Sequence, residues 1–147
     1  MVDEAVEYWS RAGRRALARS GMREAAAHLR RAIALLARLP DTPARQRREL
    51  DLTTLLGTAL IAVKGYTDEE TGRAYARART LYEALGDTSR LTSVIRGQCS
   101  FHIARGEVPA VLSAAADLLA EAGRQNSREM RLTGHQLLGI GVLYAGR

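Results

Sequence analysis

The feature that most constrains this chain is an internal repeat of helix pairs, each marked by a glycine. Glycines at positions 13, 57, 97 and 139 recur at intervals of 44, 40 and 42 residues. In the first unit, small and bulky residues alternate at helical spacing: Trp9, Ala12, Gly13, Ala16, Ala25, Leu29 and Ala32. A glycine lets a second helix approach closely, and a large residue opposite it fills the space. The repeat therefore predicts stacked helical hairpins.

The later units keep this pattern to different degrees. The second has Leu56-Gly57 and Leu60, followed by Tyr75, Ala78 and Leu81 at the same relative spacing. The third is degenerate, because Arg96 precedes its glycine and the register can be off by one. The fourth has Leu138-Gly139 and Val142. The 3.6-residue periodicity of apolar residues predicts seven helices.

Breaks between the helices carry recognisable capping signals. Helix one covers about 3–19 and helix two about 22–39; Asp41 or Thr42 caps helix three, which runs to about 63. Thr67 to Glu70 reads as a capping box that opens helix four, and Gly86 ends it. Asp87 is the expected cap of helix five, which ends at Gly106. Helix six follows over about 107–122, and helix seven over about 127–145.

The offsets within residues 9–32 resemble those of the tetratricopeptide repeat, although the period exceeds its usual 34 residues and overlaps that of HEAT and armadillo repeats. The resemblance implies an all-α fold, a right-handed α-α superhelix of tetratricopeptide-like hairpins. We expect one domain over 1–147, with hairpins at about 3–39, 41–86 and 88–123 and a half hairpin at 127–147.

A narrower resemblance covers nearly the whole chain. Its most specific segments are Leu39-Pro40-Asp41-Thr42-Pro43 and Lys64-Gly65-Tyr66. They resemble the C-terminal repeats of bacterial signalling proteins that carry a class III adenylate/guanylate cyclase or DNA-binding domain beside an AAA/STAND-like predicted ATPase. The sequence contains no G-x4-GK-[ST] phosphate loop. The resemblance therefore implies a cytoplasmic regulatory fragment of a longer protein, without the chemistry of the parent.

No residue pattern indicates catalysis, a cofactor or a metal. Cys99 and His102 share a helix face and His135 could approach them, but neither an HExxH motif nor a paired C-x2-C motif is present. Ser100 and His102, two residues apart on a helix, point to different faces. Packing or groove-lining roles explain these side chains better, and the sequence predicts a module that is not an enzyme.

The net charge of +6 is concentrated at the N-terminal end. Residues 1–48 contain 11 arginines and 5 acidic residues, whereas residues 49–147 contain 11 residues of each sign. Abundant arginine and alanine are typical of GC-rich genomes, which explains the arginine excess without a functional role. We expect these arginines to lie on a solvated face of the helices. Nucleic-acid binding through the arginine-rich N-terminal third of the chain is the less favoured alternative, because no aromatic residues alternate with the arginines. No apolar run is long enough to cross a membrane.

The expected function is protein interaction, because the first helix of each hairpin lines the inner surface of such a stack. The repeat register predicts groove-facing residues on helices one, three, five and seven: Glu7, Ser10, Arg14, Asp51, Thr54, Thr58, Gln98, His102 and Gln136. The expected partner is a protein or peptide, or another domain of the same chain. A structural spacer is the alternative, as is self-association through apolar residues of helix seven: Leu137, Leu138, Ile140, Val142, Leu143 and Tyr144.

Overall fold

A computed structural model describes residues 1–86 and 91–146, and within these ranges the chain is all-α, with seven helices and no strand. The helices are α1 (Val2–Ala18), α2 (Met22–Leu36), α3 (Pro43–Lys64), α4 (Glu69–Leu85), α5 (Leu91–Ala104), α6 (Val108–Gln125) and α7 (Arg128–Ala145). None of the described helices has the length and apolar character that a membrane span requires. The chain divides into two compact units, Met1–Gly86 and 87–147.

In the first unit each helix packs against the next, and α1 also contacts α3. Val6, Gly13 and Ala16 form the buried stripe of α1. A β-carbon at Gly13 would lie 2.8 Å from Cγ of Leu29 on α2, so a side chain at position 13 would have to displace Leu29. At Gly57 of α3, the ring of Tyr75 on α4 lies 3.0 Å from the same hypothetical atom. Both marker glycines of this unit therefore permit close helix contact, as the sequence predicted.

The helix ends of the first unit follow local rules. The Thr42 hydroxyl accepts a hydrogen bond from the Arg45 amide at 3.2 Å, which selects Thr42 from the two predicted caps. Helix α4 ends at Gly86 in the left-handed conformation, with φ of 63°. The capping box predicted at Thr67 is wrong. Asp68 caps α4 by accepting from the Glu70 amide at 2.8 Å, and the Glu70 carboxylate forms ion pairs with other helices.

In the second unit, α6 contacts both α5 and α7, and α5 also contacts α7. Two glycines of α7 give the closest approach: a β-carbon at Gly134 would lie 2.7 Å from Leu119, and one at Gly141 would lie 2.7 Å from Leu112. The marker glycine predicted for this helix, Gly139, is exposed with nothing within 4 Å. That assignment is wrong, because the face of α7 that meets α6 passes through Gly134 and Gly141.

Two predicted helix ends also differ from the structure. Helix α2 ends at Leu36 because residues 37–39 form tight turns ahead of Pro40, whereas the apolar pattern continues to Leu39. Helix α6 continues through the glycine at 123 to Gln125, and Asn126 ends it with φ of 50°. The predicted cap Asp87 lies outside the described residues. The grouping of the helices into hairpins stays a prediction.

Candidate functional site

A small cleft between α1 and α3 brings together four of the predicted groove residues. Its volume is about 110 Å³, and its lining consists of Glu7, Ser10, Arg14, Arg48, Asp51 and Leu52. On α1 the lining residues are three or four apart, and on α3 Asp51 and Leu52 follow Arg48 by three and four residues, so each set shares one face. The contact between α1 and α3 places those two faces opposite one another. The cleft is therefore built by the first unit alone.

Two acidic and two basic side chains line this cleft. Arg48 pairs with Asp3 at 2.5 Å, and Glu7 accepts a hydrogen bond from Arg11 at 3.0 Å. Arg14 is exposed and forms no ion pair with any residue that the structure describes. Because ion pairs at the surface are weak, an incoming charged group can displace those of Arg48 and Glu7 at small cost. Arg14 can bind an incoming acidic group without first losing an ion pair to a described residue.

Hydroxyl groups on the same faces are bonded to their own helices. Ser10 is 8% exposed, and its hydroxyl donates to the Val6 carbonyl at 2.7 Å. Thr54 donates to the Leu50 carbonyl at 2.8 Å, and exposed Thr58 donates to the Thr54 carbonyl at 3.3 Å. Ser10 forms part of the floor of the cleft, and the two threonines continue the face of Asp51 along α3.

Ion pairs between helices hold the walls of this unit in place. Arg77 of α4 donates two hydrogen bonds to Glu49 of α3, at 2.7 and 3.1 Å, and this contact raises the pKa of Arg77. Arg30 of α2 binds both oxygens of Glu70 at 2.7 and 2.8 Å, and Lys64 approaches the same carboxylate at 3.0 Å. The hydrogen bonds from Arg30, more than those from Lys64, lower the pKa of Glu70 to about 2.

The remaining predicted groove residues lie in the second unit. His102 is half-buried in the last turn of α5, with Nδ1 2.7 Å from an oxygen of Glu107. Hydrogen bonds from Arg105 and then His102 lower the pKa of Glu107. Gln98 is half-buried on α5, and Gln136 is exposed on α7 beside apolar Ile140. His102 is thus engaged in a local hydrogen bond, and Gln136 lies on a largely apolar face.

Two of the cleft residues, Arg48 and Leu52, were missed by the sequence reasoning. Arg48 lies three residues before Asp51 on the same helix face, which was the available signal. It was grouped with the other arginines of a solvated surface, because repeat spacing does not show which surface residue meets a neighbouring helix.

Cys99 is fully buried. Within residues 1–86 and 91–146, no three His, Cys, Asp or Glu side chains are grouped closely enough to hold a metal ion.

Comparison with protein-family models, with curated proteins and with solved structures gives no match for this chain.

Proposed function

We propose that this chain is a tetratricopeptide-like interaction module and that the cleft between α1 and α3 binds an extended peptide segment of a partner protein or of another domain. The observation that carries the proposal is the meeting of Glu7, Ser10, Arg14 and Asp51 in one cleft. The repeat register predicted these residues as groove-facing, and none of them belongs to the hydrophobic core of the first unit.

The cleft's dimensions and charges indicate what it prefers. A space of about 110 Å³ accepts one side chain rather than a folded element. Its lining of two carboxylates and two guanidinium groups favours a charged or strongly polar side chain, because an apolar one would remove water from these groups without offering them a hydrogen bond. The free guanidinium of Arg14 favours an acidic group at the rim of the cleft. Thr54 and Thr58 supply polar surface for the peptide residues that follow.

In the same proposal, the module is the regulatory repeat region of a bacterial, cytoplasmic signalling protein linked to a cyclase or a transcription regulator. The resemblance of the segments around Pro40 and Gly65 supports this context. Nucleic-acid binding receives less support, because no aromatic residues alternate with the N-terminal arginines to stack on bases. A spacer role would leave the cleft without a ligand.

The proposal is tested by selecting a random 12-residue displayed peptide library on the full-length chain and measuring the affinity of the enriched peptides. We expect Arg14→Glu to weaken their binding by at least about tenfold, equivalent to about 1.4 kcal/mol. Asp51→Arg should weaken it to a similar degree, because Asp51 belongs to the α3 side of the cleft. Arg23→Glu is the matched control, because Arg23 is exposed on α2 and forms no ion pair with a described residue.

Circular dichroism and a thermal melt of each variant separate lost binding from lost folding. Enriched peptides that bind the two cleft variants as tightly as the unmodified chain would show that the cleft is not the site. A library from which nothing is enriched would favour the spacer role.

A further inference from the structure

A second surface of α1 lies on the side of this helix that faces away from its buried stripe. It is a shallow groove of about 310 Å³ lined by residues of α1 alone: Glu4, Glu7, Tyr8, Arg11, Ala12 and Arg15. Glu4, Tyr8, Arg11 and Arg15 follow one another at spacings of three or four, so they form a straight stripe along the helix. Tyr8 is 64% exposed, the largest exposed fraction of any aromatic residue that the structure describes.

Along this stripe the negative charge lies near the start of the helix and the positive charges lie towards its end. The acidic residue Glu4 lies in the first turn, and Arg11 and Arg15 lie in the second half. Arg11 pairs with Glu7 on its own helix. Glu4 and Arg15 form no ion pair with any residue in the described ranges, although both are exposed. Two unpaired charges of opposite sign thus lie about 16 Å apart at the two ends of one stripe.

Such a stripe is complementary to itself when a second copy is turned by a two-fold rotation. With α1 antiparallel to α1, Glu4 of each copy lies opposite Arg15 of the other, and Tyr8 lies opposite Arg11. Both pairs share the same centre, between positions 9 and 10, so one axis satisfies all four contacts. A two-fold interface needs this kind of self-complementary patch. Tyr8 against Arg11 also permits a cation–π contact.

We propose that this face binds a second copy of the chain, forming an antiparallel α1–α1 dimer through Glu4–Arg15 ion pairs and Tyr8–Arg11 stacking. The dimer contacts do not involve Arg14 or Asp51, although Glu7 lines both this groove and the proposed peptide cleft. The contact is weak and salt-dependent, because its charges are exposed and Tyr8 and Ala12 are its main apolar groups. The apolar face of α7 takes no part in it.

The test is a charge-swap cycle on the full chain, followed by sedimentation equilibrium from about 10 µM to 1 mM in 20 mM and 300 mM NaCl. Glu4→Arg and Arg15→Glu should each raise the dimer dissociation constant at least tenfold. The double variant E4R/R15E recreates both ion pairs with reversed sign, so its dissociation constant should return to within about threefold of the unmodified chain. The higher salt concentration should weaken the unmodified dimer.

Two matched controls account for the change in net charge. Arg23→Glu and Glu129→Arg change the charge as the single variants do, on exposed residues of α2 and of the first turn of α7. Both should leave the dimer unchanged. A chain that is monomeric at 1 mM in 20 mM NaCl, or a double variant weaker than either single one, overturns the proposal. A dimer that Leu143→Lys disrupts and Arg15→Glu does not would place the interface on α7 and overturn it as well.

Discussion

The two units of the chain differ in the contacts that hold each of them together. In the first, ion pairs join neighbouring helices: Arg30 and Lys64 to Glu70, Arg77 to Glu49, and Arg48 to Asp3. In the second, the ion pairs among described residues are local, as in Arg124 with Glu121 and Arg105 with Glu107. The close contact there comes from Gly134 and Gly141, where leucines of α6 occupy the space above the backbone. Close contacts at glycines bring helices together in both units, and the first unit adds ion pairs between helices that the described residues of the second unit do not form.

This difference indicates which conditions affect each unit. Ion pairs depend on pH and salt, whereas glycine–leucine packing depends on neither and is disturbed by an added β-carbon. The arginine-rich unit is also the one that carries the polar cleft, while α7 of the second unit exposes Leu132, Val142 and Leu143. The first unit is therefore suited to selective polar contacts.

The largest expected effect is on the packing of α7. Gly134→Ala places a β-carbon 2.7 Å from Leu119, so we expect a loss of about 1–3 kcal/mol of unfolding free energy through overpacking. Gly139→Ala is the control in the same helix. Its added methyl group meets open space, and alanine's higher helix propensity should stabilise the chain by about 0.5–1 kcal/mol. Urea denaturation of both variants measures the difference, and equal effects would refute the packing account of this unit.

The second prediction concerns the acid stability of the first unit. Because the folded state lowers the pKa of Glu70 from 4.5 to about 2, ionised Glu70 stabilises the fold above the unfolded pKa. That contribution is lost as the pH falls from about 4.5 to about 2. We expect Glu70→Gln to cost about 1 kcal/mol at pH 7, since both partners are partly exposed, and to flatten this part of the pH profile.

Glu69→Gln is the matched control, because this neighbouring side chain is 80% exposed and makes only a 3.8 Å contact with Arg73. Urea denaturation between pH 2 and 7 compares the two variants. If the unfolding free energy of the Glu70→Gln variant falls as steeply with decreasing pH as that of the unmodified chain, the Glu70 carboxylate does not cause the loss of stability in acid.

The smallest expected effect is at the single tryptophan. The guanidinium carbon of Arg31 lies 4.8 Å from the centre of the Trp9 ring. Arg31→Gln removes this cation–π contact, and we expect a cost of about 0.5–1 kcal/mol together with a change in Trp9 emission. Arg38→Gln, at an exposed position just after α2, is the control that should change neither. An unchanged Trp9 spectrum in the first variant would remove this contact from the account.

Periodicity predicted seven helices, the number found among the described residues, because burial imposes a 3.6-residue pattern on each helix; the capping residues located most of the helix ends. It also identified Gly13 and Gly57 as contact points, since the first unit keeps the regular spacing. Periodicity failed at Gly139. The regular spacing predicts that this glycine contacts α6, but α7 is rotated so that Gly134 and Gly141 make the contact. The capping-box pattern placed the N-cap of α4 at Thr67, one residue before the observed cap Asp68, because threonine and aspartate are both good capping residues.

For the candidate site, the register predicted four of the six cleft residues but neither Arg48 nor Leu52. Which side chain of α3 reaches the cleft depends on the rotation of α3 against α1, and a single helix pattern contains no such information. His102 shows the same limit, because the turn that follows α5 brings Glu107 to its ring.

The most direct test of the central claim is a nuclear magnetic resonance titration of the ¹⁵N-labelled full chain with a peptide enriched from the library. We predict that the largest amide shift changes occur at Ser10, Arg14 and Asp51, with smaller ones at Thr54, and that Arg14→Glu abolishes them. Changes confined to α7, around Gln136 and Ile140, with α1 and α3 unaffected, would contradict the claim.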